Sequence, residues 1–254
     1  MVVLLAGCGR LGFDARISTS DGGTDTPRDT STDTSTDTAS DGPAVCGGLY
    51  CDDFESPSLD ARWMADVFHG SVGVDTTRAH SGTQSLYFHT NAIAVATTNP
   101  RADLISYDGL PVTGTIYFRA WIFKVSPRPT GFFDQTINFA DAPGNGISTG
   151  GKDGMIANND YTPPTIYQQS ATTMEPADTW TCWIFQMPSG TTGATRVFLG
   201  GTEVTDAKID VTSTQPAPDH IYLGTEWVGT PTTLPESDVW IDDVELATQP
   251  IGCN

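Results

Sequence analysis

The stretch Val239-Trp-Ile-Asp-Asp-Val-Glu-Leu246, near the carboxyl end of the chain, predicts a closing β-strand. Its apolar residues are strand formers, but two carboxylates, Asp242 and Asp243, interrupt them. Strict alternation would turn Asp243 to the same side as Ile241, into the interior, where an unpaired carboxylate is costly. We therefore expect either a bulge that turns Asp243 outward or a cation that meets it.

The most plausible partner of this strand is the segment Cys51-Asp-Asp-Phe-Glu55, which also mixes carboxylates with an apolar residue. The two segments stand at opposite ends of the region that is rich in strand-forming residues. We expect them to lie side by side, so that a sheet is closed by two acidic edges.

Many short runs of Val, Ile, Tyr, Phe, Trp and Thr lie between these two segments, separated by Gly, Pro, Asn and Asp, and no stretch has a sustained helical period. This pattern predicts an all-β fold, an antiparallel two-sheet jelly-roll β-sandwich. The predicted strands are Leu49–Phe54, Gly73–Thr76, Ser85–Thr90, Ala92–Thr97, Gly114–Val125, Thr136–Ala140, Gly154–Ala157, Thr165–Gln169, Thr181–Met187, Arg196–Leu199, Ile221–Leu223 and Val239–Leu246.

The chain of 254 residues has a formal net charge of -19, with 12 Lys and Arg against 31 Asp and Glu. So few basic residues argue against nucleic acid as a partner, because they cannot neutralise a phosphate backbone. They also argue against an anionic membrane surface as a partner of the folded domain. Solubility is the simplest explanation of the acidity.

The segment Leu5-Ala-Gly-Cys8 matches a bacterial lipobox, in which the cysteine receives the lipid. We interpret residues 1–8 as the remnant of a lipoprotein signal peptide, although a positively charged start is absent and the apolar run is short. A start codon assigned too far downstream would explain both departures, and a chance cysteine is the alternative. The motif predicts an exported protein of the bacterial cell envelope, held at a membrane only by acyl chains on Cys8.

Residues 9–45 contain a repetitive tract of Thr, Asp and Ser with almost nothing to bury. Such a composition cannot offset chain entropy, so we predict a disordered tether between the anchor and a folded domain at residues 46–254. Calcium-binding repeats are a weaker interpretation, because the glycines that those repeats need are missing.

Four cysteines fall in the predicted domain: Cys46, Cys51, Cys182 and Cys253. An even number in an exported chain suggests two disulfides, and three pairings are possible. Proximity favours Cys46–Cys51, which leaves Cys182–Cys253 to hold the final strand. The alternative joins Cys46 or Cys51 to Cys253.

Three segments together resemble the concanavalin A-like lectin and glucanase jelly rolls, including LamG-like domains and jelly-roll carbohydrate-binding modules. They are Asp52-Asp-Phe-Glu-Ser56, Asp75-Thr-Thr-Arg-Ala-His-Ser-Gly-Thr-Gln-Ser-Leu86 and Val239–Leu246. The chain is most similar to the lipid-anchored versions found in bacteria such as myxobacteria. The resemblance implies a sandwich fold and a carbohydrate partner.

The resemblance also implies a structural Ca²⁺ where these three segments converge. It assigns Glu55 and Asp243 as side-chain ligands, with backbone carbonyls from the range Gly82–Ser85. Calcium prefers several oxygen ligands and would explain carboxylates placed within a sheet. The alternative is that these carboxylates cap turns or pair with Arg62 or Arg78.

Alternation along the central predicted strand separates an apolar face from a face that carries Tyr117, Arg119 and Trp121. Aromatic rings stack on sugar rings and a guanidinium binds hydroxyls or carboxylates, so this face is a candidate sugar-binding surface. The same parity turns His89 and Asn138 away from the core, and Tyr167 is a further candidate. Cover by loops is the alternative explanation of these aromatics.

Catalysis has weaker support in the sequence. The glucanase pattern of alternating carboxylates fails after Glu236-Ser-Asp238, where no second Glu follows. An enzyme resembling alginate lyases would draw on His89 as base and Tyr167 as proton donor, with Arg119 and Gln135. We therefore expect a domain that binds carbohydrate without cleaving it. The alternatives are a divergent polysaccharide lyase or glycoside hydrolase, and a protein-binding or adhesive module.

Overall fold

The computed structural model describes residues 47–93, 100–107, 110–111, 113–128, 130–142, 144–211, 214–229 and 233–253, and all of them belong to one compact unit. The predictions for Cys8, for the tether and for Cys46 fall outside the described residues, as does most of the predicted strand Ala92–Thr97. Within the described ranges, no helix is both long and apolar enough to cross a membrane.

The described residues form sixteen β-strands and one short 3-10 helix at Thr205–Ala207. In chain order the strands are β1 (Tyr50–Asp52), β2 (Trp63–Phe68), β3 (Gly70–Asp75), β4 (Ser85–Thr90), β5 (Arg101–Ser106), β6 (Gly114–Lys124), β7 (Phe133–Ala140), β8 (Gly146–Lys152), β9 (Met155–Asp160), β10 (Ile166–Met174), β11 (Thr181–Ser189), β12 (Gly193–Leu199), β13 (Thr202–Glu203), β14 (Ile209–Val211), β15 (His220–Val228) and β16 (Ser237–Ala247).

Two sheets contain all of these strands. Sheet A has the order β13-β12-β11-β6-β16-β4-β3, with β1 paired to β16 and β14 paired to β12. Sheet B has the order β10-β9-β8-β7-β15-β5-β2. Every pairing between described strands is antiparallel, which confirms the predicted all-β, two-sheet sandwich.

The closing strand β16 lies in the middle of sheet A and not at its edge. It pairs with β6, β4 and β1, and Cys51 stands opposite Glu245, so the predicted pairing of the two terminal strands is confirmed. The register against β6 shifts between Asp242 and Glu245, and Asp243 has a φ of 47°. This bulge lets Ile241 and Val244 both reach the core although three positions separate them. Of the two alternatives for Asp243, a bulge or a cation, the structure thus shows the bulge.

The hydrophobic core lies between the two sheets and follows the alternation of their strands. On β6, Ile116, Phe118, Ala120 and Ile122 are all at most 1% exposed. Phe139 of β7 packs against Phe118 with ring centroids 5.9 Å apart, so the two sheets interlock at their central strands. The even residues of β6 therefore point inward and the odd residues point out, as the sequence predicts.

A disulfide joins Cys182 of β11 to Cys253, beyond the end of β16. This confirms one of the two predicted bridges. Cys51 is also disulfide-bonded, while Cys46, its predicted partner, lies outside the described residues.

A buried cluster of ion pairs stands between the sheets. Lys124 of β6 is 1% exposed and donates to Asp134 at 2.8 Å and to Glu175. Arg128 pairs with the same two carboxylates. Burial raises the pKa of Asp134, but the charges of Lys124 and Arg128 outweigh it and hold this pKa below its ordinary value.

Candidate functional site: a groove on the outer face of sheet B

The sequence candidates of β6, Tyr117, Arg119 and Trp121, lie on the outer face of sheet A, where other parts of the chain contact Arg119 and Trp121. Arg119 is 7% exposed, pairs with Glu245 at 3.0 Å and donates to the carbonyl oxygen of Gly252 at 3.1 Å. The ring of Trp121 stacks on His80 with centroids 3.6 Å apart. Cover by loops, the alternative interpretation of these aromatics, therefore describes this face well.

His89 lies on the same outer face, on β4, which pairs with β16 on the side opposite β6. Its Nδ1 is 2.8 Å from an oxygen of Asp238, and its Nε2 is 3.1 Å from the side-chain oxygen of Asn91. Tyr87 donates to the same Asp238 oxygen at 2.5 Å. These contacts hold His89 within a network of the protein's own side chains.

The remaining candidates lie on the other side of the sandwich. Asn138 is on β7 between two core residues, Ile137 and Phe139, so it faces out from sheet B. Tyr167, on β10, is 39% exposed on the same outer face. The structure thus divides the predicted ligand-binding residues between two opposite faces of the sandwich.

The same division separates the residues named for a lyase. His89 and Arg119 are on the outer face of sheet A, whereas Gln135 and Tyr167 are on the outer face of sheet B. Packed sheets stand about 10 Å apart, and side chains fill the space between them. A base at His89 and a proton donor at Tyr167 therefore cannot reach the same sugar.

A groove of about 700 Å³ crosses the outer face of sheet B, and we call it the sheet-B groove. Its lining combines aromatic, amide and charged side chains on several strands of one sheet. They include Tyr107, Tyr161, His220, Tyr222, Gln135, Asn138, Asn159, Asp66, Arg101, Asp141, Asp219 and Glu226.

Strand alternation places the central residues of this groove. Ile221 and Leu223 are core residues, which turns Tyr222 to the groove side of β15. Tyr222 pairs directly with Asn138 of β7, so the two side chains are neighbours on one face. A groove floored by paired strands holds its side chains more rigidly than one built from loops.

Hydrogen bonds orient some of the polar side chains of the groove and leave others available. The hydroxyl of Tyr161 donates to the side-chain oxygen of Asn138 at 2.7 Å. The amide of Gln135 donates to Glu226 at 3.1 Å. Within the described residues, the amide nitrogen of Asn138 and the hydroxyl of Tyr222 have no hydrogen-bond partner.

Two tyrosines of the groove, Tyr161 and Tyr222, have raised pKa values and are protonated at neutral pH. Burial, followed by the nearby Tyr107 and Asp66, raises the pKa of Tyr222 to about 12. Burial also raises the pKa of Tyr161, and its hydrogen bond with Asn138 offsets this only in part. Tyr222 can therefore donate a hydrogen bond to a ligand, whereas Tyr161 already donates its only hydroxyl hydrogen to Asn138. Neither phenol is suited to accept a proton as a base.

Sequence reasoning missed most of the groove. It named Asn138, Gln135 and Tyr167 but not Tyr222, although Ile221–Leu223 was a predicted strand and its parity turns Tyr222 outward. The strands β2 and β5 were not predicted, so Asp66 and Arg101 had no place in the sheet.

A second polar cluster lies where Glu55, the segment 80–84 and the bulge of β16 meet. Glu55 accepts hydrogen bonds from the backbone amides of Thr83 and Gln84 at 2.9 and 2.8 Å. Asp243 accepts from the hydroxyl of Ser81 at 2.8 Å and lies 2.6 Å from Nδ1 of His80. Glu55 and Asp243, the two predicted calcium ligands, thus both form hydrogen bonds with the segment 80–84.

The donor chemistry of this cluster suits calcium, although its contacts are also those of carboxylates that cap a turn. A Cβ on Gly82 would lie 2.5 Å from the Glu55 carboxyl, so only glycine lets this carboxylate approach the turn. Glu55 and Asp243, with the hydroxyl of Ser81, would supply the hard oxygen ligands of a bound ion. In the described residues, no group of three or more His, Cys, Asp and Glu side chains is arranged to hold a metal. Calcium at this site stays a prediction.

Solved structures of other proteins have a similar fold. No family model matches the chain, and no curated protein sequence matches it. The solved structure of "Cellulose induced protein, Cip1" is similar with a TM-score of 0.65 and 21% identity, over 81% of this chain and 100% of that one. An endo-β-1,4-glucuronan lyase from the fungus Trichoderma reesei is similar with a TM-score of 0.61 and 14% identity, over 79% of this chain and 95% of that one. At these identities the likeness shows the fold alone, which is the concanavalin A-like jelly-roll sandwich.

Proposed function

We propose that this domain binds a poly- or oligosaccharide in the sheet-B groove and does not cleave it. The observation that carries the proposal is the pair of neighbouring side chains Tyr222 and Asn138, each with a hydrogen-bonding group that no described residue uses. Sugar hydroxyls require such neutral donors and acceptors, and sugar ring faces pack on aromatic side chains. One solved structure with the same fold is named as a lyase of a polysaccharide, which supports a carbohydrate ligand.

The groove is poorly suited to the elimination reaction of a lyase. That reaction needs a base for the proton beside the uronate carboxylate, together with a positive group that neutralises this carboxylate. The raised pKa of Tyr222 makes it a weak candidate for the base. Arg101 already directs two nitrogens at Asp66, at 2.7 and 3.0 Å.

Cleavage is nevertheless the second candidate, because His220 lies beside Asp219 in the same groove as the tyrosines. The purified protein would be incubated with glucan and uronate polymers. New reducing ends, or new unsaturated ends seen by their ultraviolet absorbance, would favour an enzyme. We expect neither.

The binding experiment compares the two faces of the sandwich. Calorimetric titration against a glycan panel should identify a ligand, and Tyr222→Ala should weaken its binding at least ten-fold, about 1.4 kcal/mol. The controls Tyr117→Ala and Trp121→Ala remove aromatics from the outer face of sheet A and should leave the affinity as it was. The reverse result, with Trp121→Ala sensitive and Tyr222→Ala not, would place the site on sheet A and contradict the proposal.

A further inference from the structure

A row of neutral polar residues crosses the outer face of sheet B at right angles to the strands, and three of them, Tyr222, Asn138 and Asn159, line the sheet-B groove. Strand pairing aligns Tyr222 with Asn138, Asn138 with Ser148, Ser148 with Asn159, and Asn159 with Tyr167. We call these five residues the neutral row. At about 4.8 Å between strands, it extends roughly 19 Å from β15 to β10. The part that lines the groove, from β15 to β9, spans three strand spacings, roughly 14 Å, which suits consecutive sugar units of an extended chain.

Two members of the neutral row are buried polar groups without a complete set of partners. Ser148 is fully buried and is not part of the groove lining, so a ligand cannot reach its hydroxyl, which has no hydrogen-bond partner among the described residues. Asn138 is 5% exposed, lines the groove and keeps its amide nitrogen unpaired within the described residues. Buried polar groups without partners are uncommon in folded proteins and point to a ligand or an ordered water.

Carboxylates flank the neutral row. Asp66, Asp141, Asp219 and Glu226 line the groove, and Arg101 is the one lysine or arginine among its described lining residues. Arg101 binds Asp66 through two hydrogen bonds, so the charges of these two residues offset each other. Lys152, which lies 5.0 Å over the ring of Tyr167, stands at the far end of the row.

A buried carboxyl lies close to these flanking carboxylates. Asp103 of β5 is 2% exposed and lies beside Asp66 on the groove face of sheet B. Burial, followed by the charges of Glu226 and Asp66, raises the pKa of Asp103 well above its ordinary value. An ionised Asp103 is therefore disfavoured, first by its burial and then by the neighbouring carboxylates.

We propose that the sheet-B groove selects uncharged glycans and excludes uronate chains. This inference rests on the proposed function, because it names the chemical class of the ligand of the same groove. Hydroxyl groups match the donors and acceptors of the neutral row, whereas a uronate would bring one carboxylate per sugar against the flanking carboxylates. The groove is therefore suited to an uncharged glycan, whereas a site for glucuronan has to accept one carboxylate per sugar.

The test compares glycans that differ only in charge. β-1,4-Glucan and β-1,4-glucuronan oligosaccharides of equal length share linkage and ring configuration, and β-1,4-mannan and β-1,4-mannuronan form a second such pair. Titration at low salt should give at least ten-fold tighter binding of a neutral member than of its uronate partner. The ratio of the affinity for the neutral glycan to that for its uronate partner should decrease in added salt, because salt screens charge repulsion. The same affinity ratio should also decrease in the double variant Asp141→Asn, Asp219→Asn, because this variant removes two of the flanking carboxylates.

The outcomes separate this inference from the proposed function. A uronate that binds as tightly as its neutral partner, and that loses affinity in Tyr222→Ala, would overturn charge selection and leave carbohydrate binding intact. A panel of neutral and uronate chains without any ligand would overturn both proposals. Neutral-chain binding that Tyr222→Ala weakens, with the uronate partner at least ten-fold weaker, would support both.

Discussion

Asp103 is a carboxyl that the fold keeps away from water and from partners. It is 2% exposed, and within the described residues its side chain makes no hydrogen bond or ion pair. A Cβ on Gly224 would lie 2.9 Å from its Oδ1, so glycine on the neighbouring strand makes room for it. An ionised carboxylate is expensive in such a place, and a protonated one is tolerated.

Asp103 should therefore make the protein less stable as the pH rises. Below about pH 4 the carboxyl is protonated in both the folded and the unfolded chain. Above that pH the unfolded chain ionises it, while the raised pKa keeps it protonated in the folded chain, so the folded state is disfavoured increasingly. Asp103→Asn, which cannot ionise, should raise the Tm at pH 7 by at least about 2–4 °C, the shift that ~1 kcal/mol produces.

Thermal melts between pH 3 and pH 8 provide the measurement. The gain from Asp103→Asn should disappear near the acid end of this interval. Glu236→Gln, which removes an exposed carboxylate, is the matched control and should have little effect at any pH. An Asp103→Asn variant that is less stable than the native protein at pH 7 would contradict the assignment.

At the scale of elements, the bulge of β16 links the closing strand to the segment 80–84. Asp242 accepts hydrogen bonds from the backbone amides of His80 and Ser81 at 2.8 and 3.3 Å. Burial and the neighbouring Asp243 raise the pKa of Asp242 to about 8. One bulge thus supplies the carboxylates that hold a turn from the other end of the sequence.

If calcium binds Glu55 and Asp243, removing it should loosen this turn. At a free calcium concentration about a hundred times the Kd, binding contributes ~2.7 kcal/mol, which corresponds to a Tm shift of roughly 5–10 °C. Melts with added calcium and with a chelator would measure this shift, and Asp243→Asn should abolish it. Identical melting temperatures in both conditions would remove calcium from this structure.

The strands that the sequence did not reveal are largely those whose outer faces line or adjoin the groove. β2 and β5 carry Asp66, Arg101 and Asp103 among their apolar residues, and β8 contains three glycines. Their patterns lack the apolar and aromatic runs by which strands were identified. Strand propensity therefore identified the strands of sheet A more completely than the strands of sheet B. The outer face of sheet A is covered by the chain, and that of sheet B carries the groove.

At the scale of the whole molecule, the two outer faces of the sandwich have different roles. The outer face of sheet A is covered by the segment 80–84 and by the carboxyl-terminal segment, which the Cys182–Cys253 disulfide holds in place. The groove occupies the outer face of sheet B. The bridge should therefore contribute to stability without contributing to ligand binding.

Removing the Cys182–Cys253 disulfide tests whether it contributes to stability but not to ligand binding. The two cysteines are 71 residues apart, and the chain-entropy model gives about 4 kcal/mol for a loop of this length. The double variant Cys182→Ala, Cys253→Ala should lower the Tm by roughly 8–16 °C. Its affinity for the ligand of the groove, measured well below the Tm, should equal that of the native protein. Lost affinity in a folded variant would show that the two faces are coupled.

The sequence by itself determined the fold class and the pairing of the two terminal strands, and it included the bulge at Asp243 and the Cys182–Cys253 bridge among its alternatives. Each follows from short-range rules, since alternation, the cost of a buried carboxylate and cysteine proximity can be read along the chain. Only the tertiary structure decided which outer face is open. Parity turns Trp121 and Tyr222 out of the core equally, and loops distant in sequence cover the first while the second lines a groove.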